Sequence, residues 1–396
     1  MRRIENAIRG ASEGDYQVHL LSGHSGSGKS TEMRWLARCL QRERVGDERV
    51  LYPVFIQIDN YLNELDIQIP EFLTAIITAL LEDVRVGQYL LTLDMVQRFW
   101  KDLQQWVKGL GVTLESEIPL GIVKLKGTFR MWPGFQKSYR EENDKYVKRL
   151  LETLSDLIIR AREILTEQGT HDLLIMIDKL DRIERLPLGD NTGRTRHDLF
   201  YLEQLPSIQG IPVHFVLTVP VTPHFAQNRL RQVFHSLDNV ILPMVAVRER
   251  KTMEQPFPRG IEALTRLLGR RVSLSETFAD TEALHFAIYE SGGCLRDLFH
   301  LVSEAAINKQ ALKLTTADIE VIVKENTNNM ERLLQGRGFL RDLHHIVKTG
   351  SFPEGFNDET KQWLLYNLVV IEYNGETWYD VHPFARRTRA FREAAP

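Results

Sequence analysis

Residues 20–40, LLSGHSGSGKSTEMRWLARCL, carry an apolar run, a turn dense in glycine and serine, and an apolar-periodic segment. Gly23, four residues, Gly28, Lys29 and Ser30 meet the G-x-x-x-x-G-K-[ST] pattern in full. Ordinary composition yields that string by chance in roughly one chain in a hundred of this length. The flanks make coincidence rarer still. Residues 16–22, YQVHLLS, read as a buried strand, and Met33, Leu36, Ala37 and Leu40 recur at helical spacing after the loop. A strand, a glycine-rich loop and a helix in that order make a phosphate cradle. The glycines let the backbone turn tightly enough to aim successive N–H groups at phosphate oxygens, and the helix start adds a partial positive charge. The cradle spans Gly23, His24, Ser25, Gly26, Ser27, Gly28, Lys29, Ser30 and Thr31. Lys29 is placed to reach the β- and γ-phosphates and Ser30 to ligate Mg²⁺. The expected ligands are therefore ATP and Mg²⁺.

Composition bounds the remainder. A chain of 396 residues holds two or three domains, and its 50 basic against 53 acidic side chains leave a net charge of −3. No global field then favours nucleic acid or an anionic membrane, so any such contact is local. Cys39 and Cys294 fall in helical patterns without metal-ligand or disulfide-framework spacing, which suits core positions in a reducing cytoplasm. The start, MRRIENAIRG, lacks the apolar stretch of a secretory signal, and LTAIITALL at 73–81 is too short for a membrane span.

The cradle calls for a carboxylate at the end of a second buried strand, and residues 172–183, DLLIMIDKLDRI, supply one. The continuous apolar run from Leu173 to Ile177 is that of a strand covered on both faces. Asp178, at its carboxyl end, sits where a carboxylate holds Mg²⁺ through water. Many AAA+ ATPases place a glutamate next, to polarise the attacking water. This chain has Lys179 there, and its next carboxylate is Asp181. The form Asp-x-Leu-Asp-Arg resembles the STAND and KAP classes of P-loop NTPases and is close to the Asp-Glu-Leu-Asp of origin-recognition ATPases. Asp181 is then either the catalytic base or a cap on the following turn. Turnover is expected to be slow.

Two further strands, VLYPVFIQID at 50–59 and IPVHFVLTVP at 211–220, complete a sheet. Thr218 falls at the strand end where AAA+ proteins carry a polar sensor that touches the γ-phosphate or the water; its hydroxyl equally suits a neighbouring backbone group. The segment NRLRQVFHSLDNVILPMV at 228–245 resembles the part of origin-recognition ATPases in which an arginine acts on the nucleotide of the adjacent subunit. Arg231 matches best and Arg229 next, with a solvated helix-face arginine as the alternative. In YESGGCLRDLFHLVSEAA, residues 289–306, a Gly-Gly pair precedes Arg296 at the start of an apolar-periodic helix. This is similar to the sensor 2 motif of AAA+ lid domains, whose arginine reaches the γ-phosphate. The plainer reading is a helix that begins with glycine and carries an arginine. The STAND class normally lacks this arginine. Over about residues 1–325 the chain thus resembles AAA+-like ATPases of the origin-recognition or STAND-adjacent type.

That resemblance implies an α/β P-loop NTPase: a parallel sheet with helices on both faces over 1–250, a helical lid over 251–325, and a further module over 326–396. Helical patterns at 316–334 and 338–348, then KQWLLYNLVVIEYNGETWYDVHP at 361–383, give helices followed by a hairpin around Asn374-Gly375. This order resembles a winged helix. Its last helix, NDETKQWLLYNL, is poor in basic residues, while the tail ARRTRAFREAAP offers Arg386, Arg387, Arg389 and Arg392 either to phosphates or to solvent. An insertion over about 85–140 exceeds the minimal core. In it Phe99, Trp100, Leu103 and Trp106 share a helical face, for a partner or for packing, and the alternation in EIPLGIVKLKGTFR predicts a strand or hairpin. Arg194 and Arg196, in the loop at 186–198, are candidates for action on a neighbouring subunit.

The expected function is a Mg-ATP switch that closes its lid and forms homo-oligomers on ATP. Because the cradle lies close to the amino terminus, output is expected from a separate effector protein, in a setting that resembles bacterial conflict and antiphage systems. The alternative is a DNA-binding loader of the origin-recognition type using the winged helix and basic tail. A third reading is a nucleotide-binding scaffold without turnover, which Lys179 keeps open. No membrane contact is expected.

Overall fold

The computed structural model describes the whole chain except residues 13, 43–49, 64, 144–145, 171, 190–192, 222–232, 235–238, 251–254, 311–312, 374–376 and 395–396. It divides into two compact units, residues 1–22 with 30–240, and residues 23–29 with 241–396.

The first unit is built on a sheet of five strands: β1 (Val18–Ser22), β2 (Leu51–Gln57), β3 (Asp172–Asp178), β4 (His214–Val219) and β5 (Asn239–Ile241). Their order is β2-β3-β4-β1-β5, with β2, β3, β4 and β1 mutually parallel. Leu173, Ile175 and Ile177 enter one apolar core, and Leu174 and Met176 on the opposite face are equally buried. The strand is apolar at every position because helices cover both faces of the sheet. Ser22 pairs with Val219, Gln57 with Asp178, and Ile177 with Leu217, so four strands bring their carboxyl ends to one edge.

The helix Ile69–Glu82 contains the LTAIITALL run. A capping box sets its start, with the Gln68 N–H donating to Glu71 Oε1 at 2.8 Å, and Pro70 lies in its first turn. It packs against β2 and against the helices Pro133–Asn143 and Val147–Glu167, which is why it is apolar nearly all round. Full burial of each of Phe72, Leu73, Ile76 and Leu80 contributes about 1.5–3 kcal/mol. Among the described residues no helix is long and apolar enough to cross a membrane.

The insertion is helical: Asp94–Gly109, Ile118–Met131 and Pro133–Asn143. The strand or hairpin expected over EIPLGIVKLKGTFR is therefore corrected to a helix. Ile118, Ile122, Leu125 and Phe129 are its buried residues, a spacing near 3.6, while Leu120 and Val123 face solvent. The apparent alternation came from apolar residues on both the buried and the exposed side. Phe99, Trp100 and Leu103 are buried in the main core, and the Trp106 ring stacks on Tyr146 at 5.0 Å, so this aromatic face serves packing.

In the second unit the helices Pro258–Gly269, Thr281–Glu290, Leu295–Lys309 and Thr316–Leu334 enclose one apolar core containing Leu264, Ile288, Leu298, Leu301, Ile319 and Val323. Asp280 caps one helix by accepting from the Ala283 N–H, and Thr315 with Asp318 forms a capping box on another. The helices Leu340–Thr349 and Asp358–Tyr366 follow, then the antiparallel pair β6 (Val370–Tyr373) and β7 (Trp378–Val381). The expected Asn374-Gly375 turn lies outside the described residues.

Candidate nucleotide-binding site

The loop that follows β1 folds as the spacing requires, and the helix Lys29–Leu40 begins at Lys29 itself. Gly26 has φ +85°, and a Cβ there would stand 2.6 Å from Cys294 Sγ and 2.9 Å from Arg296 Cβ. Glycine is thus required by conformation and by close approach together. Lys29 is buried and bends back over its own loop, with Nζ donating to the carbonyls of Gly23 at 2.7 Å and His24 at 2.8 Å. Ser30 and Thr31 occupy the first helical turn, where N–H groups lack helical partners. Ser27 Oγ is buried and without a partner.

Two features of the loop come from residues 269 to 348 positions farther along the chain. His24 is fully enclosed: its Nε2 accepts from the Glu372 N–H on β6 at 2.8 Å, which makes Nδ1 the protonated nitrogen that donates to the Leu365 carbonyl at 3.1 Å. Burial, and secondarily the Lys29 charge, lowers its pKa from 6.5 to about 3, so the ring is neutral. Arg296 donates through Nη2 to Ser25 Oγ, and Cys294 Sγ lies 3.8 Å from the Ser25 carbonyl. The Gly-Gly pair ahead of them is a structural necessity: a Cβ on Gly293 would fall 1.8 Å from the Val245 carbonyl oxygen. Tyr373 on β6 fixes the same turn by donating to the Gly292 carbonyl at 2.6 Å. Cys294 is buried, and its thiol is pushed up to about 12 chiefly by that burial; Cys39 is half-buried.

At the carboxyl edge of the sheet, Asp178 Oδ1 accepts from the Lys179 N–H at 2.9 Å, whereas Asp178 Oδ2 is buried without a partner. Thr218, one position past the Ile177–Leu217 pair on its strand, is also buried, with Oγ1 unpartnered. Asp181 lies half-buried within the short turn Leu180–Arg182. That turn is held by the Tyr201 hydroxyl, which donates to the Leu180 carbonyl, and by His197 Nε2, which donates to the Ile183 carbonyl at 2.7 Å. Lys179, at φ +71°, reaches Asp59 Oδ2 with its ammonium.

Arg229 and Arg231 lie outside the described residues. Arg194 pairs with Glu203 at 2.9 Å, and Arg196 lies 3.8 Å from both Asp66 and Glu184. In the tail, Arg386 pairs with Asp380, Arg387 with Glu290 and Glu320, and Arg389 with Glu393. Those arginines are committed to carboxylates of the chain.

Sequence spacing located the loop, Asp178 and the Gly-Gly-x-x-Arg turn. It placed His24 in the loop but missed its partners Leu365 and Glu372, which are remote in sequence, and it missed Asp59. The sole signal for Asp59 in the sequence is its place at the end of a strand-like run; that this run pairs with the one ending at Asp178 is seen only in the structure.

A parallel sheet whose first strand enters G-x-x-x-x-G-K-S and a helix, with an acidic strand end at the same edge, is the P-loop NTPase fold. No family model matches the chain, and no curated protein matches it. Among solved structures it is similar to the Aeropyrum pernix ORC2 protein in its ADPNP–ADP complexes (13% identity, TM-score 0.43, 99% of this chain and 90% of that one). It is similar also to a Walker-type ATPase of Pyrococcus abyssi (13% identity, TM-score 0.43, 99% and 94%).

Proposed function

We propose that the chain is a Mg-ATP-binding switch ATPase with an AAA+-like core, in which the loop that receives the phosphates is read by the carboxy-terminal residues. The observation that carries this is the double tether of the loop, His24 to Leu365 and Glu372, and Ser25 to Arg296. Triphosphate entering the loop draws Lys29 from the carbonyls of Gly23 and His24 and offers Arg296 a stronger acceptor than a serine hydroxyl. The tethers then change with nucleotide state. Asp178 Oδ2, a hard oxygen without a partner, fits a place in a Mg²⁺ shell, with the Ser30 hydroxyl as a second donor. Mg²⁺, when bound, supplies charge neutralisation at the phosphates. Thr218 Oγ1, buried at the strand end and without a partner, has the free valence of a sensor for phosphate or water.

On this reading residues 251–325 act as the lid and 326–396 as a winged-helix-like module, Arg231 acts across a subunit interface, and a separate effector carries the output. The resemblance to conflict-system ATPases makes an antiphage partner the class to test first. The DNA-loader reading is weaker, because Arg386, Arg387 and Arg389 are paired within the chain. The test is titration with a fluorescent ATP analogue, together with the solution mass with and without ATP and Mg²⁺. Wild type should bind and gain mass, and Lys29→Ala should do neither. Equal affinity in the variant would refute the assignment of the loop.

A further inference from the structure

The position after Asp178, where a water-polarising glutamate is expected of many such ATPases, holds a lysine, and the contact of that lysine leads to a carboxylate beyond the neighbouring strand. Lys179 adopts a left-handed conformation, φ +71° and ψ +11°, which is uncommon for a residue with a side chain. That turn redirects the chain leaving β3, and the Lys179 ammonium crosses to Asp59, in the short turn Ile58–Asn60 just after β2. β2 and β3 are neighbours with Gln57 opposite Asp178, so Asp59 stands at the same carboxyl edge. Its Oδ2 takes the ammonium, while its Oδ1 is buried without a partner.

Three adjacent strand ends therefore each present one buried oxygen that nothing satisfies: Asp59 Oδ1, Asp178 Oδ2 and Thr218 Oγ1. Buried polar atoms are almost always paired, and each exception needs an explanation. Carboxylate oxygens accept, so what completes this edge brings donors or a cation. Water and metal-bound water at a phosphate are such groups, and the carboxyl edge of a parallel sheet is where ligands bind. Asp181 has no buried oxygen of this kind.

We propose that Asp59 is the general base of hydrolysis and that Lys179 is its positioning residue. The inference rests on the ATPase reading above. Water held at Asp59 Oδ1 attacks the γ-phosphorus as its proton passes to that oxygen. The bond from the γ-phosphorus to the β–γ bridging oxygen breaks, and its electron pair stays on the diphosphate. The proton leaves Asp59 with inorganic phosphate or to solvent. Lys179 fixes Oδ2, which leaves Oδ1 as the one oxygen able to serve.

The test compares Asp59→Asn, Asp181→Asn, Lys179→Met and the Asp59→Asn/Lys179→Met double variant in the full chain. Each is read for analogue affinity, single-turnover hydrolysis, identity of the nucleotide retained, and melting temperature. Asp59→Asn should keep wild-type affinity within about threefold, lose about a hundredfold or more in hydrolysis, and retain ATP in place of ADP. Lys179→Met should lose less, and the double variant should be no better than Asp59→Asn. Asp59→Ala, assayed with added formate as a surrogate carboxylate, guards against a folding defect in Asp59→Asn, and a several-fold recovery is expected. Wild-type hydrolysis in Asp59→Asn, recovery of activity in the double variant, absence of formate rescue, or loss confined to Asp181→Asn would each overturn the proposal. A wild-type chain that binds ATP without hydrolysing it overturns this inference alone, whereas one that binds no ATP removes the broader reading and this one with it.

Discussion

The two oxygens of Asp178 live in different surroundings, one taking a main-chain N–H and the other buried with nothing to accept. Asp178→Asn keeps the volume and the first bond but, on the proposed reading, puts an amide where a metal-bound water would need a negative oxygen. Hydrolysis should fall by at least about tenfold, 1.4 kcal/mol in the barrier, while analogue affinity changes little; intact turnover would place the metal carboxylate elsewhere. Away from the nucleotide, Glu71 is fully buried and held by Arg140 at 2.6 Å. Burial pushes its carboxyl above the usual range, with Arg140 pulling the other way. Arg140→Ala leaves that group without its cation and should cost about 3–5 kcal/mol, read as a shift of the urea midpoint. At this scale the local fold was legible where one stretch of chain fixes the geometry, as from Gly23 to Ser30. Asp59 and Lys179 meet across two strands, and their residue types alone do not announce the pairing.

Among the elements, the helix Ile118–Met131 shows how a period is misread. Ile118, Leu120 and Ile122 alternate as a strand would, yet Ile118, Ile122, Leu125 and Phe129 are the residues that bury. An apolar outer side hides the 3.6 period, and only packing distinguishes the two. Gly121 is the contact that seats this helix, since a Cβ there would lie 2.2 Å from the Trp100 ring. Gly121→Leu should cost about 1–3 kcal/mol in overpacking, with a shift in tryptophan emission as the readout. The clamp of His24 on β6 has a pH signature. His24 titrates near 3 and His197 near 4, both held below the ordinary 6.5 mainly by burial. Between those values and 6.5 the unfolded chain binds protons that the folded chain refuses, so stability is lost as pH falls through that window. From pH 7 to pH 5 each histidine should remove roughly 2 kcal/mol. Urea melts across that range check the sum, and His24→Asn should flatten the slope; an unchanged slope would mean that His24 titrates normally.

For the whole molecule, a parallel sheet covered by helices was expected from the strand-like runs and the resemblance, whereas the strand order β2-β3-β4-β1-β5 and the grouping of the loop with residues 241–396 were not. Assembly is the prediction at this scale. If Arg231 acts on a neighbour's phosphate, Arg231→Ala subunits should bind ATP without efficient hydrolysis, and mixing them with Lys29→Ala subunits should restore part of it at shared interfaces. A specific rate independent of concentration, with no recovery in any mixture, rules the interfacial role out. The partners of His24 stand 341 and 348 residues farther along the chain. During synthesis the loop therefore leaves the ribosome well before the residues that set it, by roughly 20 to 70 s at ordinary elongation rates. A nascent chain displays the phosphate-binding sequence without its clamp until residues 365–372 have emerged, so the loop takes its set form long after its own synthesis.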